Sequence, residues 1–552
     1  MTTRTRIVVV GNGMVGSRFV ADLTTRDADA EFDVTLLGEE EYHPYNRVLL
    51  SEVVAGKADL SALALPEADG DRVRVERGTP VIAIDRASRT VLTSSGSHRY
   101  DRVVLATGSV ARIPDLPGLE GDLPAGVHAL RTLDDAREIV AVTANAGRAV
   151  VIGAGVLGIE AACGLARRGL DVAVIHSADT VMDRQLDPDA GRVAQATLAG
   201  LGIATWTRAR TRRVVVEDGR VTGVDVDAGE RPVTLTADLV VLACGTTPEV
   251  ALARSAGLAV DRGVLVGADL ASPDDPRIFA IGDCAQPPEG GAGLIAQGWD
   301  QARRLAGRLT RPAQGPPTAA RPEQPSMALR LSLSAGVVSR PADSVSAGPT
   351  TPALAAGTDV VRLKAAGLEV VTMGVSGTRR RRDPTHRSVR LSDPASGRHV
   401  EVVVADGLVV GATCVGAPEV AADLSAAYVR RTPVPADPAH LLIRPLATAA
   451  APAATPERMP EGATVCLCNG VTKKDIVDAC RAGAHTAADL ASATRATTGC
   501  GGCKETVCGL LEWLAEAEGP ARPTPSGGSD ATSQRARATS ENNVTTGQRA
   551  GH

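Results

Sequence analysis

The chain has 552 residues, more than a single domain normally holds, and a formal net charge of −5. The negative balance argues against nucleic acid as the main partner. Its apolar runs are too short to cross a membrane or to form the core of a signal peptide, so a cytoplasmic location is expected. Aromatic residues make up only 2% of the chain, and the cores must therefore rely on aliphatic side chains.

The first elements are a short apolar strand at residues 6–10, a glycine-rich turn and a helix. In this context the first glycine makes the tight turn, the second lets a pyrophosphate approach the backbone, and the third lets helix and strand pack closely. The candidate binding residues of this loop are Gly11, Gly13, Met14 and Gly16. Glu39 ends the second strand and is predicted to accept hydrogen bonds from ribose hydroxyls; the alternative is a solvated acid beside Glu40 and Glu41.

The same order of elements recurs from residue 148 to residue 175, and it predicts a second nucleotide-binding unit. The candidate residues of this loop and its helix are Gly153, Gly155, Leu157, Gly158 and Glu160. The end of the following strand carries His176 instead of an acid. His176 is either a contact to the ribose or 2′-phosphate of a bound nucleotide, or a surface histidine. If that nucleotide is a nicotinamide dinucleotide, the choice between NADH and NADPH stays open.

The rest of the chain divides by composition. Residues 310–357 are rich in Pro, Ala and Ser and predict a flexible insertion, whereas strand-like alternation predicts a small β-rich domain over residues 358–432. Within that domain, the basic run Arg379–Arg382 is either a solvated loop or a docking patch for an acidic partner. Residues 433–463 are predicted to form a linker, 464–518 a compact helical module, and 519–552 a disordered tail.

The helical module carries most of the ten cysteines. Those in C-x-C and C-x-x-C spacing are Cys466, Cys468, Cys500 and Cys503. Four thiolates of this kind can hold the two irons of a [2Fe-2S] cluster, and structural zinc is the alternative. Cys480 and Cys508 are predicted to be small core residues. Two capping boxes, at residues 472–475 and 486–489, predict the starts of two helices.

Further segments of the N-terminal part resemble the pyridine-nucleotide-disulfide-reductase superfamily. Residues 105–108 and 243–248 resemble its two crossings between domains, and residues 278–283 resemble its late FAD motif. The resemblance implies FAD in the first loop, within a domain of residues 1–120 and 244–309, and NAD(P)H in the second, within residues 121–243. It adds as cofactor-binding residues Thr107, Gly108, Gly245, Gly282 and Asp283. The redox-active cysteine pair of disulfide reductases is absent, since no cysteine precedes Cys163.

A narrower resemblance concerns Tyr42–Ser51, which is similar to the Tyr-x-Arg-x-x-Leu-Ser segment in the flavin part of assimilatory nitrite and nitrate reductases. It implies that Arg47 lies near the flavin and is catalytic; the alternative is an ordinary surface arginine. Glu160 is the second predicted catalytic group, with a positioning role. Residues 464–518 resemble the bacterioferritin-associated-ferredoxin-like [2Fe-2S] domain.

These features predict an α/β protein with two Rossmann-like dinucleotide-binding domains, a small β-rich domain and a small helical [2Fe-2S] domain. The resemblance implies an NAD(P)H-dependent FAD oxidoreductase that passes electrons through the cluster to a partner in nitrate or nitrite assimilation. That partner would be a molybdopterin nitrate reductase catalytic subunit or a sirohaem nitrite reductase component. No cysteine follows Cys508, so a sirohaem domain is not expected in this chain. The alternatives are a rubredoxin- or ferredoxin-reductase-type enzyme with a fused ferredoxin, or a non-catalytic redox sensor.

Overall fold

The computed structural model describes residues 4–68, 70–229, 232–291, 293–310, 359–377, 383–442, 456–466, 469–499 and 502–518. Several predicted features lie outside these residues: the flexible insertion beyond Thr310, the Arg379–Arg382 run, the tail from residue 519, and the two cysteines Cys468 and Cys500. The predicted linker is described only at its two ends.

The chain begins with the strand, turn and helix that the sequence predicts. The elements of this segment are β1 (Thr5–Val10), α1 (Met14–Arg26), β2 (Phe32–Leu37), α2 (Leu50–Val54), β3 (Val73–Glu76), β4 (Val81–Asp85), β5 (Thr90–Thr93), β6 (Gly96–Arg99), β7 (Arg102–Leu105) and β8 (Ser109–Ala111). β1 pairs in parallel with β2 on one side and β7 on the other, and its apolar residues are buried because both faces of the sheet are covered. β4, β5 and β6 form a separate antiparallel sheet.

A second unit of the same kind follows. Its elements are β9 (Val127–Ala129), α3 (Leu133–Thr143), β10 (Arg148–Ile152), α4 (Val156–Arg167), β11 (Asp171–Ile175), α5 (Pro188–Gly200), β12 (Ile203–Trp206), β13 (Arg210–Glu217), β14 (Arg220–Asp227), β15 (Pro232–Thr236) and β16 (Leu239–Leu242). The parallel sheet has the order β12-β11-β10-β16-β9, with β10 in the position that β1 occupies in the first unit. β13, β14 and β15 form an antiparallel sheet beside it.

The chain then returns to the first unit. This segment contains β17 (Thr246–Pro248), α6 (Ala251–Ser255), β18 (Val264–Leu265), β19 (Ile278–Ala280), β20 (Ala285–Gln286) and α7 (Ile295–Leu309). β17 pairs antiparallel with β8, so the two crossings between the units lie side by side. β19 pairs with β7 and completes the first sheet in the order β19-β7-β1-β2-β3, and α7 packs on α1.

From residue 359 the described residues form an antiparallel sheet with an α-helix packed against it. The elements are β21 (Val361–Arg362), β22 (Val370–Gly374), β23 (Arg387–Asp393), β24 (Arg398–Ala405), β25 (Leu408–Val415) and α8 (Pro418–Arg430). The five strands lie where alternation predicts them, whereas the alanine-rich α8 is not predicted by the sequence analysis. α5 of the second unit packs on β24 and β25, and Arg390 bridges the two parts by pairing with Asp189 on α5 and Glu401 on β24.

The C-terminal module consists of three helices and a short hairpin. Its elements are β26 (Thr464–Cys466), β27 (Val471–Thr472), α9 (Lys473–Arg481), α10 (Ala487–Thr494) and α11 (Lys504–Glu518). Both predicted capping boxes are confirmed: Thr472 accepts the N–H of Asp475 at 3.2 Å, and Thr486 accepts that of Asp489 at 3.1 Å. Cys480 belongs to the core of the module, as predicted, while Cys508 is only partly buried.

The predicted fold class is confirmed, with two Rossmann-like units, a β-rich domain and a helical module in one chain. None of the helices in the described ranges is both long and apolar enough to span a bilayer.

We expect Thr486→Ala to destabilise the C-terminal module by about 1 kcal/mol, because the hydroxyl that caps α10 is lost. The change is measured as faster amide hydrogen exchange in α10 and as a lower midpoint of thermal unfolding. Ser492→Ala on the same helix is the control: its exposed hydroxyl bonds only to the carbonyl of Ala488, and alanine is the better helix former. Equal effects of the two changes would contradict the role assigned to the cap.

Candidate functional site

In the first glycine loop, the backbone at Gly11 and Gly16 lies very close to other backbone atoms. Gly11 has a φ of +114°, and an added Cβ there would lie 2.2 Å from the carbonyl oxygen of Ala106. A Cβ on Gly16 would lie 1.9 Å from the oxygen of Gly11, so neither position accepts a side chain. A Cβ on Gly13, by contrast, has no protein atom within 4 Å. Gly11 and Gly16 therefore shape the loop, and the space in front of Gly13 is open.

The second loop repeats this geometry in the second unit. Gly153 has a φ of +110°, and its Cβ would lie 2.4 Å from the oxygen of Ala243. A Cβ on Gly158 would lie 1.9 Å from the oxygen of Gly153, and the Cβ position of Gly155 is open. The two loops are thus equivalent sites in two separate sheets.

Each open glycine is the N-cap of a helix. Gly13 precedes α1 and Gly155 precedes α4, and neither supplies a capping side chain. The first N–H groups of both helices therefore face the open space, where an anionic pyrophosphate would satisfy them. Next to Gly13, both polar side-chain atoms of Asn12 are buried without a hydrogen-bond partner among the described residues. A ligand that offers polar atoms fits this loop, and no motif singled out Asn12.

A polar network lies at the edge of the first sheet. Asp283 accepts hydrogen bonds from Ser109 Oγ at 2.9 Å and from Arg131 at 3.1 Å. Arg131 also donates to the hydroxyl and to the carbonyl of Ser109. The predicted Asp283 is thus joined to two residues that the sequence analysis missed, because neither stands in a recognisable motif.

Arg47 is held by its neighbours. Its guanidinium pairs with Glu40, donates to the carbonyl of Arg131 at 3.1 Å, and lies over the ring of Tyr45 with its carbon 4.8 Å from the centroid. Burial raises the pKa of the Tyr45 phenol, which donates to Glu40 at 2.7 Å. Arg47 is therefore a fixed, half-buried group. Glu39 is exposed, and it is the adjacent Glu40 that holds this cluster together.

Hydrogen bonds join the two crossings between the units, and each of them has a backbone carbonyl as its acceptor. Thr107 Oγ1 donates to the carbonyl of Glu249 at 2.8 Å, and the carbonyl of Gly108 accepts the N–H of Glu249 at 3.0 Å. The carbonyl of Gly245 accepts the N–H of Arg112, also at 3.0 Å. These predicted residues lie together where the chain passes between the sheets.

The remaining predicted residues of the first unit face α7. The N–H of Gly282 donates to Gln301 Oε1 at 2.7 Å, and the carbonyl of Met14 accepts from Trp299 Nε1 at 3.1 Å. α7 therefore connects the first glycine loop to the late motif at residues 282–283. Leu157 of the second loop packs on the core of the second unit.

Glu160 lies where three parts of the chain meet. Its side chain is 3% exposed and accepts hydrogen bonds from Ser51 Oγ at 2.6 Å, from the backbone of Lys364 at 2.8 Å, and from Lys364 Nζ at 3.0 Å. Ser51 belongs to α2 of the first unit and Lys364 to the β-rich domain. With three donors already around it, the Glu160 carboxylate is suited to positioning these segments.

His176 lies against the second loop. Its Nδ1 is 3.4 Å from the backbone nitrogen of Ala154, and its Nε2 is 3.0 Å from Asp183 Oδ1. The side chain is 16% exposed, which makes it a partly buried residue with both ring nitrogens engaged.

Two of the four predicted cluster ligands are described, Cys466 and Cys503, and both are buried. The amide Nδ2 of Asn469 lies 3.5 Å from the Sγ of Cys466 and donates towards it, and it also donates to the carbonyl of Arg495 at 2.7 Å. Amide donors directed at thiolate sulfur are typical of iron–sulfur sites. The described part of the module therefore fits a cluster held by cysteine.

The module is seated directly on the first unit. Asn46, which is 2% exposed, donates its Nδ2 protons to the carbonyls of Thr498 and Gly499 at 2.9 and 2.6 Å. Arg18 on α1 donates to Asn469 Oδ1 at 2.9 Å. Both contacts join residues far apart in the chain, and no motif predicted them.

Residues 5–304 match the family described as pyridine nucleotide-disulphide oxidoreductase, and residues 464–513 match the BFD-like [2Fe-2S] binding domain. The chain belongs to the pyridine nucleotide-disulphide oxidoreductase family. Membership implies FAD and NAD(P)H as cofactors, and the second match implies a [2Fe-2S] cluster, which disfavours the zinc alternative.

The chain is 30% identical over 516 residues to the nitrite reductase [NAD(P)H] of Bacillus subtilis (strain 168), covering 92% of this chain and 57% of the relative. It is 30% identical over 518 residues to the assimilatory nitrate reductase electron transfer subunit of the same strain, covering 93% of this chain and 60% of the relative. The chain thus spans less than two thirds of either relative. The covalent putidaredoxin reductase–putidaredoxin complex matches in fold with a TM-score of 0.63 and 24% identity, over 80% of this chain and 96% of that chain.

We expect Gly13→Val to abolish FAD binding while the protein stays folded. The Cβ of the new side chain meets no atom of the described residues beyond its chain neighbours, so the expected clash is with a ligand in the open space. FAD content is measured by flavin absorbance after purification and folding by circular dichroism. Gly96→Val, at another glycine whose Cβ position is open, is the control and should retain FAD. Full FAD occupancy in Gly13→Val would mean that FAD binds elsewhere.

Gly155→Val is expected to leave FAD bound and to abolish NAD(P)H oxidation, because the second loop serves a separate sheet. The measurements are flavin absorbance and the rate of flavin bleaching after NAD(P)H is mixed in. If this variant loses FAD but still binds NAD(P)H, the two loops have been assigned in the wrong order.

Proposed function

We propose that this protein is an NAD(P)H-dependent electron-transfer flavoenzyme that passes electrons through FAD and a [2Fe-2S] cluster to a separate reductase in nitrate or nitrite assimilation. One observation carries the proposal: a cysteine-rich module of the [2Fe-2S] type sits directly on the unit whose loop fits FAD, through Asn46 and Arg18. The proposal places the enzyme in the cytoplasm, where thiols stay reduced.

Each site is proposed to use the residues predicted for it. The first loop, Gly11–Gly16, holds FAD with its pyrophosphate at the start of α1, and Asp283 holds the ribityl chain. The second loop, Gly153–Gly158, holds NAD(P)H at the start of α4. Arg47, fixed by Glu40, supplies positive charge beside the flavin.

The reaction balances without any further reagent. NAD(P)H donates a hydride and leaves as NAD(P)⁺, so two electrons and one proton enter the protein. FAD held by the first glycine loop and Asp283 would supply the change from two-electron to one-electron transfer, and a cluster held by the four predicted cysteines would supply one-electron transfer. Two one-electron transfers to the acceptor and the release of one proton complete each turnover. Glu160 joins Ser51 to Lys364 and so keeps the first unit, the second unit and the β-rich domain aligned during this exchange.

The acceptor is proposed from the relatives. They are a nitrite reductase and the electron transfer subunit of an assimilatory nitrate reductase. A molybdopterin nitrate reductase catalytic subunit or a sirohaem nitrite reductase component is therefore the partner to test. The thiolates Cys466, Cys468, Cys500 and Cys503 would hold the cluster on the way to it.

The test separates the cluster from the flavin. A serine at any of these four cysteines should weaken or remove the electron paramagnetic resonance signal of the reduced cluster, whereas Cys480→Ala should retain the signal because its side chain packs in the core. In the serine variants NAD(P)H should still bleach the flavin in stopped-flow mixing, but reduction of the partner should fail.

Three outcomes would contradict the proposal. Zinc instead of iron after anaerobic purification would exclude electron transfer through the module. Unimpaired partner reduction without a cluster would mean that electrons leave directly from the flavin. The absence of steady turnover with both the partner and an artificial acceptor would favour a redox sensor.

A further inference from the structure

Asn46 makes an unusual set of hydrogen bonds for a side chain between two units. Its Oδ1 accepts the N–H of Val48 at 3.1 Å and so caps the short 3₁₀ helix Arg47–Leu49. Its Nδ2 donates to two successive carbonyls of the C-terminal module, those of Thr498 and Gly499. One buried carboxamide thus binds the segment that carries Arg47 on one side and the module on the other.

The carbonyls that Asn46 binds belong to a loop next to a predicted cluster ligand. Gly499 immediately precedes Cys500 in the sequence, and both Thr498 and Gly499 are buried. Asn46 therefore reaches from the segment of Arg47, predicted to lie beside the flavin, to the backbone that precedes the predicted iron ligand Cys500.

A second contact holds a neighbouring residue of the module, Asn469, whose Nδ2 also donates to Thr498 Oγ1 at 3.3 Å. Arg18 lies one turn into α1, the helix that starts at the first glycine loop, and is fixed by an ion pair with Asp22 and by the ring of Trp299. It donates to Asn469, the residue whose amide is directed at Cys466. Two segments of the first unit thus hold the same part of the module, beside the predicted cluster ligands.

We propose that Asn46 is the positioning residue that docks the cluster loop on the flavin-binding unit, with Arg18 as its second anchor. This inference rests on the proposed function. Its consequence is that the cluster is reduced within the same chain, from one fixed position, and that the module does not exchange between a free and a docked state to collect each electron.

Asn46→Asp is the variant that tests this proposal most sharply. Aspartate has the same shape and keeps an oxygen to accept the N–H of Val48, so the helix that carries Arg47 keeps its cap. When ionised it has no proton to donate, and its charge faces two carbonyl oxygens. The change therefore removes the docking bonds and retains the local fold. Asn145→Asp, the same substitution at an exposed site, is the matched control.

Two measurements on the full chain at pH 8 report the docking. Amide hydrogen exchange of the peptide that contains residues 495–499 should become faster on the order of tenfold in Asn46→Asp, because two hydrogen bonds of the docked state are lost. In stopped-flow mixing with NAD(P)H, flavin bleaching should keep its wild-type rate while cluster reduction becomes slower. The reduction potential of the cluster is measured beside these rates, because a carboxylate near the cluster lowers it, and cluster reduction should be slowed by more than that shift accounts for.

Arg18→Gln supplies an independent variant at the other anchor, with the exposed Arg26→Gln of the same helix as its control. Arg18→Gln should also make amide hydrogen exchange in the module faster. In the double variant, exchange should be faster than in either single variant. Unchanged exchange and unchanged cluster reduction in both anchor variants would overturn the proposal, as would a slowing explained by a shifted cluster potential. If NAD(P)H does not reduce the cluster even in the wild-type protein, the proposed function itself is wrong. That outcome is distinct from a failure of the docking proposal, which would appear only in the variants.

Discussion

The contact between Gly16 and the carbonyl of Gly11 is the constraint on which the rest of the structure depends. A single methyl group there would lie 1.9 Å from that oxygen, so only glycine lets α1 start directly at the end of β1. The same contact recurs between Gly158 and Gly153 in the second unit. Because both helices are held this close to their strands, their unsatisfied N–H groups face open space at Gly13 and its counterpart. In both sheets, one steric requirement thus leaves the same open space in front of a helix N-terminus.

The relative placement of the units rests on a different kind of interaction. Glu160 is almost fully buried and accepts hydrogen bonds from Ser51 and from Lys364, which belong to two other parts of the chain. Removing one partner of a buried ion pair leaves an uncompensated charge, so such a pair favours a single arrangement more than it adds to overall stability. The β-rich domain thus helps to hold the units together, since it supplies Lys364, the cation that pairs with Glu160.

The C-terminal module is joined to the same frame by polar contacts. α1 begins at the first glycine loop and carries Arg18, and the 3₁₀ helix with Arg47 begins at Asn46. Two of the elements that contribute to the proposed flavin site therefore also contribute an anchor for the module. This shared use of two short elements couples the position of the module to the position of the flavin-binding loop, and it gives a physical basis for electron transfer within one chain.

The sequence by itself determined the two glycine loops, the capping boxes at Thr472 and Thr486, the strands of the β-rich domain and the cysteine pattern. All of these are local: steric limits, short hydrogen bonds and alternation act between residues a few positions apart, so they leave a readable pattern. Only the tertiary structure decided that Asn46 and Arg18 would meet the module and that Lys364 would meet Glu160. Partners so distant in the chain are brought together by the packing of whole units. Where the acceptor is a backbone carbonyl, as for Asn46, every residue type carries the same group, so the sequence holds no pattern from which the contact could be predicted.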